Sequence, residues 1–149
     1  MDALGQDSFD AMISTTATHW LTPPELARVY RQLAGLLRPD GVLLNGDYLP
    51  LPAQLSRIRA AIRAVDQRRQ AAALARGFEA WQDWWDVLGD EPALRDAFAQ
   101  RARLWPDDGA SDKRSAGLAF HEAALLEAGF GEVGVIWQDL EERVLMALR

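Results

Sequence analysis

The sequence has 149 residues, of which 49% are hydrophobic and 26% are charged, and its formal net charge is −6. This is enough for one globular domain with its own core. The negative balance argues against nucleic acid and anionic membrane as partners, because both bind clustered cations. Cysteine is absent, which excludes disulfides and thiolate ligands and suits a reducing, cytoplasmic location. No apolar run approaches the ~20 residues that a membrane-spanning helix needs.

The first fifty residues predict a strand, a helix and a second strand. "FDAMIST" (9–15) is a short apolar run typical of a buried strand. "TPPE" (22–25) has the spacing of a capping box with proline at the first helical position, so a helix is expected to begin there. "RPDG" (38–41) is expected to stop that helix. "VLLNGDYL" (42–49) is a second apolar run. Short connections between these elements predict a βαβ unit with parallel strands.

The middle of the chain predicts helices, and the end returns to an α/β pattern. Apolar residues recur at helical spacing over 53–76 and 78–89, and Pro92 opens a third helix. A helix at about 118–128 and two strands around a tight turn at 139–141 follow. We therefore expect one α/β domain over 1–149 with a helical insert at about 53–105.

One glycine motif resembles a nucleotide-binding fingerprint, but the predicted helix and strand around it come in the wrong order. "GFGEVG" (129–134) matches G-x-G-x-x-G. That fingerprint must follow a strand and open a helix, because the helix N-terminus receives the phosphates. Since the predicted order is helix, glycines, strand, we interpret these glycines as a helix end followed by the start of a strand.

Polar residues follow the two predicted parallel strands at their carboxyl ends, where open parallel sheets bind ligands. The segment 14–19 follows the first strand, and Asn45 and Asp47 end the second. His19 is either a general base or a polar residue that packs at the turn. Trp20 either packs or stacks on a ligand. Asn45 and Asp47 either line a ligand-binding site or are ordinary polar residues of a solvent-exposed loop.

The remaining unusual residues have ordinary alternatives. Trp81, Trp84, Trp85 and Trp105 form either a core cluster or a lid over the ligand-binding rim. His121 has no carboxylate or histidine at metal-binding spacing, so we interpret it as structural. With two histidines and no cysteine, no metal site is expected.

Two parts of the chain resemble class I S-adenosylmethionine-dependent methyltransferases. The segment from "FDAMISTTATHWL" through "VLLNGDYLP" resembles the region from the fourth to the fifth strand of that family. "FHEAALLEAGFGEVGVIWQDLEERVLMALR" resembles its closing helix and last two strands. The resemblance implies an α/β fold with a partial Rossmann-like sheet, whose strands resemble 4-5-7-6 of the family's order 3-2-1-4-5-7-6. It also implies that the helical insert is a cap over the acceptor.

The resemblance further implies a site for methyl transfer to a small-molecule acceptor. Ser14, Thr15 and Thr16 would approach S-adenosylmethionine, and His19 would be the catalytic base. The residues near the acceptor would be Thr18, Trp20 and Asp47, with Trp81 and Trp85 from the cap.

The family's glycine-rich donor turn and ribose-binding carboxylate have no counterpart in the sequence. The resemblance therefore covers the C-terminal half of the family's fold, and the isolated chain is expected to bind the donor poorly and to be inactive.

The resemblance also has a consequence for partners. The edge of the strand at 9–15 would be open, because the family's first strand is missing. Both crossover helices would cover the same face of the sheet. We therefore expect the helices at 53–105 to cover the other face, or the chain to form a homo-oligomer or to bind a complementing chain.

Two alternatives to an enzyme half are a non-catalytic binding or oligomerisation module derived from this fold, and a sequence with a misassigned start.

Overall fold

A computed structural model of the chain describes residues 5–104 and 116–149. It divides into two compact units, one comprising Met1–Leu55 with Ser111–Arg149 and the other Ser56–Ala110. Trp105 and most of the loop predicted between the insert and the closing helix lie outside the described residues.

The secondary structure follows the predicted order. In chain order the elements are β1 (Phe9–Thr15), a 3₁₀ turn (Thr18–Trp20), α1 (Pro23–Leu36), β2 (Leu37–Tyr48), α2 (Ser56–Ala75), α3 (Trp81–Gly89), a second 3₁₀ turn (Pro92–Leu94), α4 (Arg95–Leu104), α5 (Leu118–Glu127), β3 (Glu132–Asp139) and β4 (Glu142–Leu148).

The four strands form one mixed sheet in the order β1-β2-β4-β3. β1 and β2 are parallel and are connected through α1, so the predicted βαβ unit is confirmed. β4 is antiparallel to both of its neighbours. The carboxyl ends of β1 and β2 therefore meet at the same edge of the sheet, as expected for the polar residues that follow them.

The start of β2 differs from the prediction. We expected "RPDG" at 38–41 to separate the helix from a strand at 42–49, but β2 already begins at Leu37, which pairs with Phe9. The next pair is Ala11 with Val42, so β2 bulges between the two pairs. Asp40 takes a left-handed backbone conformation, with φ of 63°. Residues 38–41 therefore lie inside β2, at its bulge, and not between α1 and the start of β2.

The helix α1 begins where the capping box predicts. The Glu25 carboxylate accepts hydrogen bonds from the Thr22 amide at 2.9 Å and from the Thr22 hydroxyl at 2.6 Å. Leu26, Tyr30 and Ala34 recur at helical spacing and are buried. The core lies between one face of the sheet and the helices α1 and α5; its sheet residues are Leu43, Leu145 and Ala147, and its α5 residues are Ala124 and Leu125.

The glycine motif at 129–134 has the structural role expected of it. Gly129 follows α5 with φ of +103°, a backbone conformation that favours glycine. The Gly131 amide donates to the Leu148 carbonyl at 2.8 Å, and β3 begins at the next residue. The motif therefore ends a helix and starts a strand, so no helix N-terminus is available to bind phosphate.

The face of the sheet away from the core retains exposed apolar side chains. Ile13 on β1 is 73% exposed, and Trp137 on β3 is also exposed. Pairing places Ile13 beside Leu44, and Trp137 opposite Val144. β1 is an edge strand of the described sheet. Edge strands with exposed apolar surface are sites of association.

The second unit consists of α2, α3 and α4, and none of their residues is fully buried. The rings of Trp81 and Trp84 stack with centroids 5.3 Å apart, and Trp85 contacts Phe98 edge to face at 5.7 Å. Trp81 is 72% exposed, so the core interpretation of this residue is wrong. A lid function for these tryptophans stays a prediction.

Within the described ranges, no helix is both long and apolar enough to cross a membrane.

The exposed apolar face leads to a prediction about association. We expect the 149-residue chain to self-associate and to bind an apolar dye, because Ile13 and Trp137 expose hydrophobic surface. Ile13→Lys should lower both the dye fluorescence and the apparent mass in size-exclusion chromatography. Glu132→Lys on β3 is the control, since it adds a lysine without removing apolar surface. A compact wild-type monomer that binds no dye would contradict this prediction.

Candidate functional site

The candidate site lies where β1 and β2 end. The Thr16 amide donates to the Gly46 carbonyl at 2.9 Å, which holds the end of β1 beside β2. Thr16 has a left-handed φ of 50°, and the chain then forms the 3₁₀ turn at Thr18–Trp20. This turn places the backbone amides of Thr18 and His19 over the side chain of Asp47.

Asp47 is the centre of the site. One carboxylate oxygen, Oδ2, accepts hydrogen bonds from the Thr18 amide at 2.7 Å, the Thr18 hydroxyl at 2.5 Å and the His19 amide at 3.1 Å. The other, Oδ1, lies 2.6 Å from His19 Nδ1 and accepts from the Tyr48 amide at 2.9 Å. Asp47 is only 2% exposed, so its charge is stabilised by these five contacts and not by water.

These contacts determine the protonation of the pair. Burial alone would raise the pKa of Asp47, but hydrogen bonds from Thr18, His19 and the Tyr48 amide outweigh burial and hold this pKa below its ordinary value. Asp47 is therefore ionised at neutral pH and can only accept. The proton between the two side chains consequently belongs to Nδ1 of His19, and whenever the ring carries only this proton, Nε2 is an acceptor.

The His19 ring retains access to solvent. Its side chain is 23% exposed. Among residues 5–104 and 116–149, Nε2 has no hydrogen-bond partner. The ring of Trp20 lies beside it, with centroids 4.9 Å apart and planes tilted by 42°, and Trp20 is itself 44% exposed. A partly exposed imidazole and an exposed aromatic ring thus lie side by side at this edge of the sheet.

A second polar layer lies beneath this pair. The Tyr30 hydroxyl is 2.6 Å from Nδ1 of His121, and both residues are 1% exposed. Asn45 donates from Nδ2 to the Thr18 hydroxyl at 3.1 Å. Burial and the charge of Asp47 both raise the pKa of Tyr30. Burial lowers the pKa of His121, although the charge of Asp47 opposes this effect. His121 is thus a buried neutral residue, as its structural interpretation requires.

The other predicted site residues are not all brought together. Ser14 pairs with Asn45 in the sheet and shares its core-facing side, whereas Thr15 pairs with Gly46 and faces the opposite side. Thr16 is exposed beyond the strand. The roles predicted for these three hydroxyls at the donor stay predictions. Trp81 and Trp85 belong to the second unit. In the described part of the chain, no group of three or more His, Cys, Asp or Glu residues could hold a metal ion.

Sequence reasoning identified His19, Asp47 and Asn45 but missed Tyr30. Tyr30 lies in the apolar stripe of α1, between Leu26 and Ala34, so its pattern indicated only core packing. A tyrosine hydroxyl in such a stripe needs a partner when buried, which was a signal that could have found it. Its partner, His121, is 91 residues away along the chain.

Comparison with known proteins shows the fold but not the family. No protein-family model matches the sequence, and no curated protein matches it. An O-methyltransferase family protein from Burkholderia thailandensis is similar with a TM-score of 0.52 and 15% identity, over 95% of this chain and 30% of that chain. A candidate O-methyltransferase from Nostoc punctiforme is similar with a TM-score of 0.50 and 10% identity, over 97% and 33%.

A possible exported protein from Bordetella parapertussis is similar with a TM-score of 0.52 and 17% identity, over 99% of this chain and 41% of that chain. The fold is therefore methyltransferase-like. The chain spans between 30% and 41% of the length of these solved structures.

The buried histidine leads to a prediction about acid stability. Because the folded protein holds His121 neutral below the unfolded-state pKa of about 6.5, the unfolded chain takes up this proton first. The free energy of unfolding should therefore fall between pH 7 and pH 5, by about 1–2 kcal/mol. His121→Gln should flatten this fall in urea titrations.

His19→Gln serves as the matched control, because the sequence has only these two histidines. We expect this variant to keep most of the fall in stability. An unchanged pH slope in His121→Gln, measured with the fold intact by circular dichroism, would contradict the buried neutral state of His121.

Proposed function

We propose that this chain is the acceptor-side half of an S-adenosylmethionine-dependent methyltransferase that acts on a small-molecule hydroxyl group. The observation that carries the proposal is the contact of 2.6 Å between His19 Nδ1 and the buried carboxylate of Asp47, at the carboxyl ends of parallel strands. Two facts support it: the fold is methyltransferase-like, and the order β1-β2-β4-β3 agrees with the predicted correspondence to strands 4-5-7-6.

His19 has the geometry of a general base. Asp47 holds the Nδ1 proton, so Nε2 of the partly exposed ring has a free lone pair when the ring carries only that proton. When the acceptor oxygen becomes alkylated, its O–H bond breaks and Nε2 takes the proton. The neighbouring carboxylate stabilises the imidazolium that results. Trp20 provides a flat apolar surface beside the ring for the acceptor.

Thr18 and Asp47 then support the base and do not themselves recognise the acceptor. Both are buried, and both oxygens of Asp47 are already engaged by groups of this chain. Direct contact with an acceptor would require these hydrogen bonds to break.

The described residues do not by themselves fit the methyl donor. Its ribose needs a carboxylate with free acceptor positions, and Asp47 has none to offer. The glycine motif at 129–134 is used between a helix and a strand. The donor, when bound, would supply an electrophilic methyl group. We assign its binding to polypeptide outside this sequence, which would also pair with the β1 edge and cover the exposed apolar face around Ile13.

Donor binding by the isolated chain tests this assignment. We expect calorimetry of the 149-residue chain to show no binding of S-adenosylmethionine at micromolar concentration, because Asp47 and the glycine motif at 129–134 are already engaged within the fold. Micromolar affinity would contradict the assignment of the donor site to another part of the protein.

The catalytic proposal is tested on a longer polypeptide. An in-frame glycine-rich segment in the coding DNA immediately upstream of residue 1 would identify the donor half. The extended polypeptide should then transfer a labelled methyl group to members of a panel of small hydroxyl compounds. His19→Gln should lower kcat by about 100-fold or more at neutral pH, because the base is lost, and should leave donor affinity unchanged.

Glu132→Gln on β3 is the control in this assay and should be as active as wild type, because Glu132 lies at the far end of the sheet. An extended polypeptide that binds the donor but methylates no acceptor would contradict the proposal. Full activity of His19→Gln would remove His19 from the mechanism.

A second candidate function is a non-catalytic binding or oligomerisation module. The exposed apolar side chains of Ile13 and Trp137, on a sheet with an open β1 edge, favour it. A defined oligomer together with the absence of an upstream donor segment would support this alternative over the enzyme half.

A further inference from the structure

Two helical segments of the second unit carry opposite charge. The segment 79–91, which contains α3, has five acidic residues and neither lysine nor arginine. The helix α2 has five arginines and one acidic residue, Asp66. Opposite charges attract one another over about 10 Å at 0.1 M salt. Each segment is therefore electrostatically complementary to the other.

One side of α3 packs within the second unit, and the remaining side is exposed. Trp85 contacts Phe98 of α4 edge to face, with ring centroids 5.7 Å apart. Asp83, Trp84 and Val87 lie elsewhere on the helix, three or four residues from one another, and so share a side. Trp84 is 43% exposed and Val87 is 72% exposed. We call these three residues the acidic face.

The helix α2 presents a face of small side chains with arginine at two positions. Its members recur three or four residues apart and therefore lie on one side of the helix. We call them the basic face; they are Arg57, Ala61, Ala64, Arg68 and Ala72. Ala64 is half-buried and the other four are exposed. Alanine side chains leave room for a large ring beside the helix.

Arginine also has a direct affinity for the aromatic rings of α3. The guanidinium of Arg101 lies 4.6 Å from the ring centroid of Trp85 within the second unit. Such contacts combine electrostatic attraction with packing, and both tryptophan and arginine are enriched at protein interfaces. The exposed ring of Trp84 and the exposed arginines of the basic face have the same chemistry.

A single copy of the chain does not bring the two faces together. Residues of both faces are exposed, so neither face covers the other. A second copy offers the complement of each face at the same time. Docking of α3 from each copy on α2 of the other produces two equivalent contacts, which a two-fold axis relates and which close the assembly at a dimer.

We propose that the acidic face of α3 docks on the basic face of α2 in a second copy of this chain. Trp84 and Val87 lie against the alanines of the partner, and Asp83 lies near its arginines. This surface is separate from the exposed sheet face around Ile13, and the inference does not depend on the proposed function.

Cross-linking of introduced cysteines tests the proposal at the level of single faces, because the sequence contains no cysteine. Val87→Cys places a thiol on the acidic face, and Ala61→Cys places one on the basic face. Both positions are exposed, so the fold should tolerate them. When the two 149-residue variants carry tags of different size and are mixed with a short bis-maleimide, we expect a cross-linked product of unequal chains.

Glu132→Cys is the matched control, because Glu132 is exposed on β3 and belongs to neither face. Mixed with Ala61→Cys, it should give only the background of random collisions. Val87→Cys alone should also give only this background, since the proposed contact does not bring two copies of α3 together.

Charge reversal tests the electrostatic part of the proposal. Asp83→Arg, added to the Val87→Cys chain, should lower the yield of the mixed product roughly fivefold, because it turns an attraction into a repulsion. Adding Arg57→Asp and Arg68→Asp to the Ala61→Cys chain should restore the yield. Salt at about 0.5 M should lower the yield for the original pair, since it screens exposed charges.

Four results would overturn the proposal. The first is a mixed product no more abundant than that of the Glu132→Cys control. The second is equally efficient cross-linking of Val87→Cys with itself, which would show that α3 packs on α3. The third is a yield that charge reversal does not change. The fourth is binding to anionic phosphatidylserine vesicles that Arg57→Asp with Arg68→Asp abolishes, without a mixed product, which would assign the basic face to a membrane.

Discussion

The site depends on one buried charge. Asp47 has no water to stabilise its carboxylate, so five hydrogen bonds from its own chain replace the solvent. Two of the donors are backbone amides of the 3₁₀ turn at Thr18–Trp20, which means that the charge also holds the turn in place. Removing the carboxylate would leave these donors unsatisfied and release the turn that carries His19.

The same charge connects the outer and inner parts of the site. Towards solvent, Asp47 orients His19 and leaves Nε2 available. Towards the core, it accepts from the Thr18 hydroxyl, which in turn accepts from the Asn45 amide, and the buried Tyr30–His121 pair lies in the same core. Buried polar groups of this kind are tolerated because each is paired, and their geometry is rigid for the same reason.

The sheet has two faces with different properties. The face covered by α1 and α5 has a close-packed core and contains the polar site at one end. The opposite face exposes Ile13 and Trp137. The similar solved structures extend well beyond the part that this chain matches. Additional polypeptide over this face would satisfy both the unpaired β1 edge and the exposed apolar surface.

By itself, the sequence was sufficient to predict the elements with local signals. The apolar run of β1, the capping box at 22–25 and the glycine after α5 act over a few residues, and the structure has each of them at the predicted place. The start of β2 at Leu37 was not predictable in this way, because it depends on pairing with Phe9 in another strand. For the site, polar residues after parallel strands were enough to select His19 and Asp47. Only the tertiary structure decided that they touch, that Thr18 is buried behind them, and that Tyr30 pairs with His121. Such contacts join residues 28 to 91 positions apart, and a one-dimensional pattern contains no information on which distant side chains will meet.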